Sequence, residues 1–212
     1  MADQRRGGIA WTDFTLNPIR ARGSEGQVGH HCVKVSAGCA NCYASELQSR
    51  FQMPPFEIGI RSRAVIKPFF DPKPLREVLR RRAPARFFWC DMTDLFGEWV
   101  PDEWIDQCFA VMALTPQHAH QLLTKRPERM RDYMLERWQA DEHQTVGDDR
   151  AGRVHRSVEA LVYGPGTSKL FNDDRWWTAE GSSIASAQPW PLPNVWLGTS
   201  VEDQQRADER IP

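Results

Sequence analysis

The segment Arg86–Cys90 reads RFFWC. Three aromatic residues followed by a cysteine form a continuous apolar run, which is typical of a strand buried on both faces of a sheet. The run opens into the polar segment Asp91–Asp94, and a helix is predicted from Pro101 to Leu114, with acidic residues in its first turn and an apolar stripe. A buried strand followed by an amphipathic helix predicts an α/β fold.

The same order of elements recurs along the chain. A second strand is predicted at His120–Thr124, and it is followed by a helix that begins at Pro127 and extends to about Trp138. Asn194–Gly198, NVWLG, predicts another buried strand. Alternating strands and helices are typical of a parallel sheet with right-handed crossovers. The remaining predicted elements are strands at Ile9–Phe14 and Ala64–Ile66 and helices at Tyr43–Phe51 and Asp71–Arg82.

Metal-binding chemistry is concentrated in CVKVSAGCANCY, residues Cys32–Tyr43. Six residues separate Cys32 from Cys39, and two separate Cys39 from Cys42. A C-x2-C pair directs two sulfurs to one metal atom or one cluster edge. With the third thiolate, the segment suits a metal centre that keeps an open position. Such a centre is either a catalytic zinc with bound water or an iron–sulfur cluster whose fourth iron is left for a small molecule.

Two other interpretations of this motif remain open. His30 and His31 directly precede Cys32, so a closed Cys3His structural zinc site can be written from the same segment. A C-x2-C pair also serves as a redox pair, and free cysteines often act only as small buried apolar residues. Cys90 and Cys108, in the predicted strand and helix, are interpreted as core thiols of this last kind.

Polar residues follow the predicted strands where an active site would lie. In a parallel α/β barrel, the residues just beyond the carboxyl ends of the strands form the active-site face. This rule selects three pairs of residues, one after each strand: Asp91 and Asp94, Thr124 and Lys125, and Ser200 and Glu202. We therefore expect these side chains to converge on one face. If the cysteine loop follows the first strand, the cysteine motif would lie on the same face.

Four stretches of the sequence resemble a known family: IAWTDFTLNPI at Ile9–Ile19 together with the cysteine motif, DLFGEWVPDEWID at Asp94–Asp106, LLTKRPERM at Leu122–Met130 and PLPNVWLGTSVEDQQRADERIP at Pro191–Pro212. They resemble a phage-associated three-cysteine-motif family of uncertain function, which is itself similar to radical S-adenosylmethionine (SAM) enzymes. In such enzymes three cysteines hold a 4Fe–4S cluster and SAM chelates the fourth iron. The resemblance covers most of the chain.

The resemblance implies a fold, a cofactor and a reaction. The fold would be a partial (β/α) barrel of radical SAM type, a variant of the TIM barrel. Cys32, Cys39 and Cys42 would bind the cluster, and reductive cleavage of SAM would give a 5′-deoxyadenosyl radical that abstracts hydrogen from an unknown substrate. A phage setting suggests a nucleic acid or its precursors. The motif differs from the usual C-x3-C-x2-C in its longer first gap, and an apparent insertion, Arg20–His31, precedes it.

Radical SAM enzymes hold SAM by its ammonium, its carboxylate and its ribose hydroxyls, and the strand-end residues offer partners for each. The expected cofactor-binding assignments are Asp91 or Asp94 for the ammonium, Lys125 or Arg126 for the carboxylate, and Ser200 with Glu202 for the ribose.

Composition limits the partners and the location of the protein. The net charge is −1 and the pI about 6.6, so no overall basic field favours nucleic acid, and any nucleic acid would bind a local patch. No apolar run approaches the roughly 20 residues needed to cross a bilayer, and the N-terminus lacks the apolar core of a signal peptide. Five cysteines, an odd number of which three are clustered in one motif, fit a reducing compartment better than a disulfide framework. The chain is predicted to be cytoplasmic.

Length and pattern predict a single domain over residues 1–212, with a cysteine-motif loop at 20–43 and an irregular insertion at about 139–193. A closed eight-stranded barrel takes about 250 residues. We therefore expect a barrel that is incomplete at its C-terminus, with an open sheet edge covered by a second chain or an oligomer. The alternatives to an enzyme are a structural zinc-binding module without catalysis and a truncated inactive fragment.

Overall fold

A computed structural model of the chain describes residues 1–3, 8–53, 66–135, 150–163 and 188–211. The strands are β1 (Ala2–Asp3), β2 (Phe14–Leu16), β3 (Ile19–Arg22), β4 (Val28–Gly29), β5 (Lys67–Phe70), β6 (Arg86–Trp89), β7 (Ala119–Thr124) and β8 (Val195–Thr199). The helices are α1 (Tyr43–Arg50), α2 (Lys73–Arg80), α3 (Asp102–Leu114), α4 (Pro127–Leu135), α5 (Arg150–Tyr163) and α6 (Gln204–Arg210), and a 3₁₀ helix spans Ala37–Asn41.

The main sheet has five strands in the order β1-β2-β6-β7-β8. β2, β6, β7 and β8 are parallel and lie in the sheet in the order in which they occur in the chain, whereas β1 pairs with β2 antiparallel. The predicted α/β fold with a parallel sheet is confirmed. The sheet is open at β8, and the strands that the structure describes do not close into a barrel.

One face of the main sheet is covered by helices. Side chains at alternate positions of β2, β6 and β7 point to this face and join one hydrophobic core with residues of α2, α3 and α5. We call it the helix-covered face; its residues are Phe14, Leu16, Phe87, Trp89 and Leu122.

The opposite face of the sheet lacks such a helix layer among the described elements. We call it the open face; its residues are Phe88, Gln121, Leu123, Trp196 and Gly198. Phe88 is buried because Trp11 packs on its ring at 4.7 Å between centroids, but Leu123 and Trp196 are exposed. The prediction that Asn194–Gly198 is a buried strand is therefore wrong, since β8 is the edge strand and its only partner in the described sheet is β7.

A second, antiparallel sheet has the order β4-β3-β5. The apparent insertion Arg20–His31 contributes to it as the β3–β4 hairpin, in whose turn Gly26 adopts a φ of +86° that favours glycine. The cysteine-motif loop predicted at 20–43 thus begins with paired strands. The strand predicted at Ala64–Ile66 begins instead at Lys67 and pairs with β3, while Ala64 and Val65 lie outside the described residues.

The segment 139–193, predicted to be irregular, contains α5. Val154, Val158 and Leu161 recur at helical spacing in α5 and pack against the core. The rest of this segment, apart from residues 188–193, lies outside the described residues. Among the described helices, none combines the length and apolar character that crossing a membrane requires.

Candidate functional site

A cleft of about 440 Å³ lies where the carboxyl ends of β6, β7 and β8 meet the cysteine loop. The structure brings most of the predicted site residues together in its wall. Those that line the cleft are Cys32, Cys39, Cys42, Asp91, Asp94, Lys125, Arg126 and Ser200. Glu202 is not part of the lining, but its carboxylate forms an ion pair with Lys125 at 3.4 Å. The strand-end rule thus selects residues that are neighbours in the fold.

Asp91 joins three elements at one end of the cleft. The Asn17 side chain, just after β2, donates to the Asp91 carboxylate at 2.6 Å and accepts from the Met92 backbone N–H at 3.0 Å. The Tyr43 hydroxyl, at the start of α1, donates to the Asp91 carbonyl at 2.6 Å. Burial raises the pKa of Asp91 despite hydrogen bonds from Asn17 and Tyr43, and burial with the nearby Asp91 charge raises the pKa of Tyr43.

Asp94 is buried, and both of its oxygens are engaged within the protein. One accepts from the Phe96 backbone N–H and the Thr124 hydroxyl, at 3.0 and 2.8 Å. The other accepts from the Lys125 backbone N–H and the Arg126 guanidinium, at 3.1 and 3.0 Å. A carboxylate has about four acceptor positions. Asp94 therefore acts as an organiser of the β6 and β7 strand ends.

Arg126 links the cysteine loop to Asp94. Its guanidinium donates to Asp94, to the Glu98 carboxylate at 2.9 Å and to the Val33 carbonyl at 3.0 Å. It also lies over the Trp99 ring, 4.8 Å from the centroid. Because Val33 follows Cys32, the position of the first cysteine of the motif depends on Arg126.

Cys32 and Cys39 bound the six-residue gap of the motif, and Cys32 is the more deeply buried of the two. Burial and the nearby Asp94 charge raise the pKa of Cys32 to about 12, although the Arg126 charge acts in the opposite direction. The thiolate form at this position thus requires a further positive partner, such as a metal centre.

Cys39 has the opposite tendency. Burial opposes ionisation of its thiol, but hydrogen bonds from the Val35 and Ser36 backbone, the Ser36 hydroxyl and the Lys125 charge together lower the pKa of Cys39. The Ser36 oxygen lies 3.7 Å from the Cys39 sulfur. The loop therefore favours a thiolate at the first position of the C-x2-C pair.

Glu202 closes the other side of the cysteine loop. A hydrogen bond from the Ser36 hydroxyl and the charges of Lys125 and Arg210 hold the pKa of Glu202 at about 2. The Arg210 guanidinium lies 3.0 Å from the carboxylate. A Cβ atom at Gly38 would lie 2.8 Å from the Glu202 side chain, so glycine permits this close approach.

Cys90 and Cys108 are buried, as predicted for core thiols. Burial is the main cause that raises the pKa of each. Cys90 also lines the cleft and has a φ of +60°, which is uncommon for a residue with a side chain. The left-handed conformation turns the chain sharply out of β6 and into the loop that carries Asp91 and Asp94.

The two histidines before the motif have partners away from the cysteines. The His30 ring lies 3.4 Å from the Ile19 carbonyl, and the His31 ring packs edge-on against Trp99 at 4.7 Å. Within the described ranges, no group of three or more His, Cys, Asp or Glu side chains is arranged to hold a single metal ion. The closed Cys3His zinc site that the sequence allows is therefore not preformed in the described part of the chain.

Two supporting residues and one supporting role were not predicted from the sequence, since Arg126 was expected only as an alternative to Lys125 for the SAM carboxylate. Asn17 and Tyr43 fix Asp91, and Arg126 acts as a buried clamp on the loop. The Asn-Pro pair after β2 and the tyrosine after the last cysteine are signals that mark the first two. The clamp role of Arg126 has no such signal, because Arg126 follows Lys125 in a run that reads as a charged strand end.

Comparison of the chain with known protein families finds a match over residues 6–212 to a family described as "Protein of unknown function (DUF5131)". No curated protein and no solved structure matches the chain. The family match extends over nearly the whole sequence and includes the cysteine motif, the strand ends and α6. The chain therefore belongs to the DUF5131 family.

Proposed function

We propose that this chain is an iron–sulfur protein of radical SAM type, in which Cys32, Cys39 and Cys42 bind a 4Fe–4S cluster. One observation carries the proposal: three thiols of one motif line a single cleft at the carboxyl ends of parallel strands. Once bound, the cluster would supply the electron for reductive cleavage of SAM. The substrate would be a nucleic acid or a related precursor.

The donor set fits a cluster better than a single ion. Each cysteine sulfur binds a different iron in a cluster, so the three sulfurs need not surround one point. A closed zinc site would need a fourth ligand and a tight tetrahedral group, and the described side chains offer no such group. The hydrogen bonds and the Lys125 charge that lower the pKa of Cys39 favour the thiolate that an iron ligand requires.

The contacts of the cleft residues refine their proposed roles toward SAM. Asp94 is fully engaged within the protein, so Asp91 would accept from the SAM ammonium. Arg126 is committed to its clamp, so Lys125 would bind the carboxylate. Ser200 lies at the cleft wall, where its hydroxyl would reach the ribose, and Glu202 would orient Lys125 through their ion pair.

The main sheet also supports a partial barrel. Parallel strands that follow one another in chain order are the arrangement found in (β/α) barrels. We propose that in the cytoplasm a second chain or an oligomer covers the edge at β8, where Trp196 and Leu197 are exposed. A sedimentation coefficient that stays monomeric at every concentration, with no partner recovered from the source cells, would rule this out.

Anaerobic reconstitution with iron and sulfide tests the proposal. We expect about four irons per chain and an EPR signal of the reduced protein that changes when SAM is added. Cys39→Ala and Cys42→Ala should each retain less than about a quarter of that iron, because a cluster that loses a ligand is released. Cys108→Ala is the matched control, since Cys108 is buried in α3 outside the cleft wall, and it should load normally.

Three other results would contradict the proposal. One tightly held zinc per chain, no cluster signal and no response to SAM would identify a structural zinc module. Rapid proteolysis of a chain that holds no metal would identify an inactive fragment. Equal iron loss in Cys108→Ala and Cys39→Ala would show that iron binding reports folding rather than ligation.

A further inference from the structure

The open face of the main sheet carries a second cavity, of about 300 Å³. We call it the trough; its lining residues are Trp11, Gln121, Leu122, Leu123, Trp196, Leu197 and Gly198. A volume of this size is at the lower end of the range for small-molecule sites. None of these lining residues is charged, so the trough would recognise a neutral group rather than a phosphate or a carboxylate.

Gln121 presents an unused acceptor in the trough. Its side-chain N–H donates to the Trp11 carbonyl at 3.3 Å, which fixes the orientation of the amide. The amide oxygen is buried and has no hydrogen-bond partner in the described part of the chain. A buried acceptor without a partner is costly and uncommon in folded proteins. The trough therefore lacks one hydrogen-bond donor.

Two indole rings border this acceptor. Trp196 is the direct neighbour of Gln121 in the parallel register of β7 and β8, and it is 63% exposed. Trp11 packs on Phe88 and is still 42% exposed. Exposed indoles in an apolar groove are platforms for flat aromatic rings. A ligand that satisfies both features is planar and carries an N–H donor.

Gly198 keeps the trough open. A Cβ atom at this position would lie 2.8 Å from the end of the Leu123 side chain, which lines the trough, and would force that side chain to move. Trp11 and Leu123 also line the cysteine cleft, so the two cavities share a wall. A group held in the trough would therefore lie next to the cysteine cleft.

We propose that the trough is the substrate subsite of this protein and binds a nucleobase that carries an exocyclic amino group. The base stacks on the indoles of Trp11 and Trp196 and donates its amino N–H to the Gln121 amide oxygen. The assignment as a substrate subsite rests on the function proposed above for the cysteine cleft.

Fluorine NMR of protein labelled with 5-fluorotryptophan tests this proposal. The resonances of Trp11 and Trp196 are assigned with Trp11→Phe and Trp196→Phe, and cytidine is titrated into protein without cluster or SAM. Cytidine is chosen because adenosine, which is part of SAM, would also bind the SAM site proposed in the cysteine cleft. We expect both resonances to shift and to saturate at millimolar cytidine. N4,N4-dimethylcytidine, which lacks the amino donor, should bind about tenfold more weakly.

Gln121→Met supplies the protein-side control. It removes the acceptor while keeping a side chain of similar length, so it should bind cytidine and its dimethyl derivative equally. If this variant fails to fold, the comparison of the two ligands on the natural chain still decides the question.

Two results would overturn the proposal. One is the absence of any shift at Trp11 and Trp196, or equal binding of the two ligands by the natural chain. The other is a shift of both resonances with protein concentration that added cytidine does not change, which would show that a second copy fills the trough itself rather than only covering the β8 edge. Because the titration uses protein without a cluster, a failure to load iron leaves its result intact. Equally, a failure to bind cytidine leaves the iron–sulfur proposal standing.

Discussion

The two faces of the main sheet are built from the same strands, yet only one of them is covered by helices in the described structure. Phe87 and Trp89 lie in the core beneath helices, whereas Phe88, between them in sequence, faces the cleft and is covered by Trp11. The helix-covered face forms the hydrophobic core, and the open face borders the cysteine cleft and the trough. The difference shows that core packing and cavity lining are divided between alternate residues of one strand.

The largest effect should come from the matched pair Phe87→Ala and Phe88→Ala. Phe87 is sealed in the core, so its truncation leaves an enclosed cavity and should lower the free energy of unfolding by about 3–5 kcal/mol. Phe88 borders the cleft, where water and Trp11 can fill the space, so its loss should cost at least about 1 kcal/mol less. Urea unfolding of the two variants provides the comparison, and equal losses would show that the open face is covered as fully as the other.

Arg126→Met should cost about 3 kcal/mol, because it leaves the buried Asp94 carboxylate without its ionic partner. The change also frees the Val33 carbonyl, so the Cys32 thiol should become more accessible to alkylation, which mass spectrometry can follow. Arg131→Met is the matched control. Arg131 pairs with Asp132 on the surface, where both side chains are 61% exposed, so its loss should stay within about 0.5 kcal/mol.

If Arg126→Met and Arg131→Met destabilise the chain equally, the clamp contributes nothing beyond a surface ion pair. If Arg126→Met is destabilised but Cys32 alkylation stays unchanged, the clamp supports the β7 strand end without holding the cysteine loop. The two measurements therefore separate stability from loop position.

A smaller effect concerns the pH dependence of the free energy of unfolding. Trp89 donates its indole N–H to the His120 ring at 3.0 Å, and the other ring nitrogen lies 3.0 Å from the Thr115 hydroxyl. Burial, with the His118 charge, lowers the pKa of His120 to about 3. The unfolded chain binds this proton near pH 6.5 and the folded chain does not, so stability should fall as the pH decreases from about 6.5 toward 3.

His120→Gln should remove this part of the pH dependence. Between pH 7.5 and 5, the natural chain should lose about 1–2 kcal/mol more than the variant, as measured by urea unfolding at each pH. Gln121, the next residue, faces the open side and does not titrate, so Gln121→Met should keep the pH dependence of the natural chain. Identical pH profiles for the natural chain and His120→Gln would contradict the neutral, buried state of the ring.

The sequence predicts the parts of the fold that depend on local pattern. The apolar run of β6 and the stripe of α3 are strong periodic signals, and the structure has both elements within a residue or two of their predicted bounds. The rule that polar residues at parallel strand ends converge also holds, since Asp91, Lys125 and Ser200 line one cleft.

The features that escaped prediction depend on which strands become neighbours. The hairpin within Arg20–His31 lacks an apolar core of its own and becomes a sheet only through pairing with β5. β8 has the composition of a buried strand, but burial depends on its neighbours, and only β7 pairs with it in the described sheet. The contacts of Arg126 could not be predicted from the sequence either, because its partners Asp94 and Val33 lie far from it along the chain.

At the concentrations used to purify a protein, we expect β8 to determine whether molecules of this chain associate. Its outer edge has no strand partner in the sheet that the structure describes, and Trp196 and Leu197 are exposed on it. An uncovered edge strand with large apolar side chains is a template for pairing with other molecules. A net charge of −1 supplies little electrostatic repulsion to prevent that pairing. Aggregation should therefore begin at β8, and charge added along this edge should disperse the chain more effectively than charge added elsewhere.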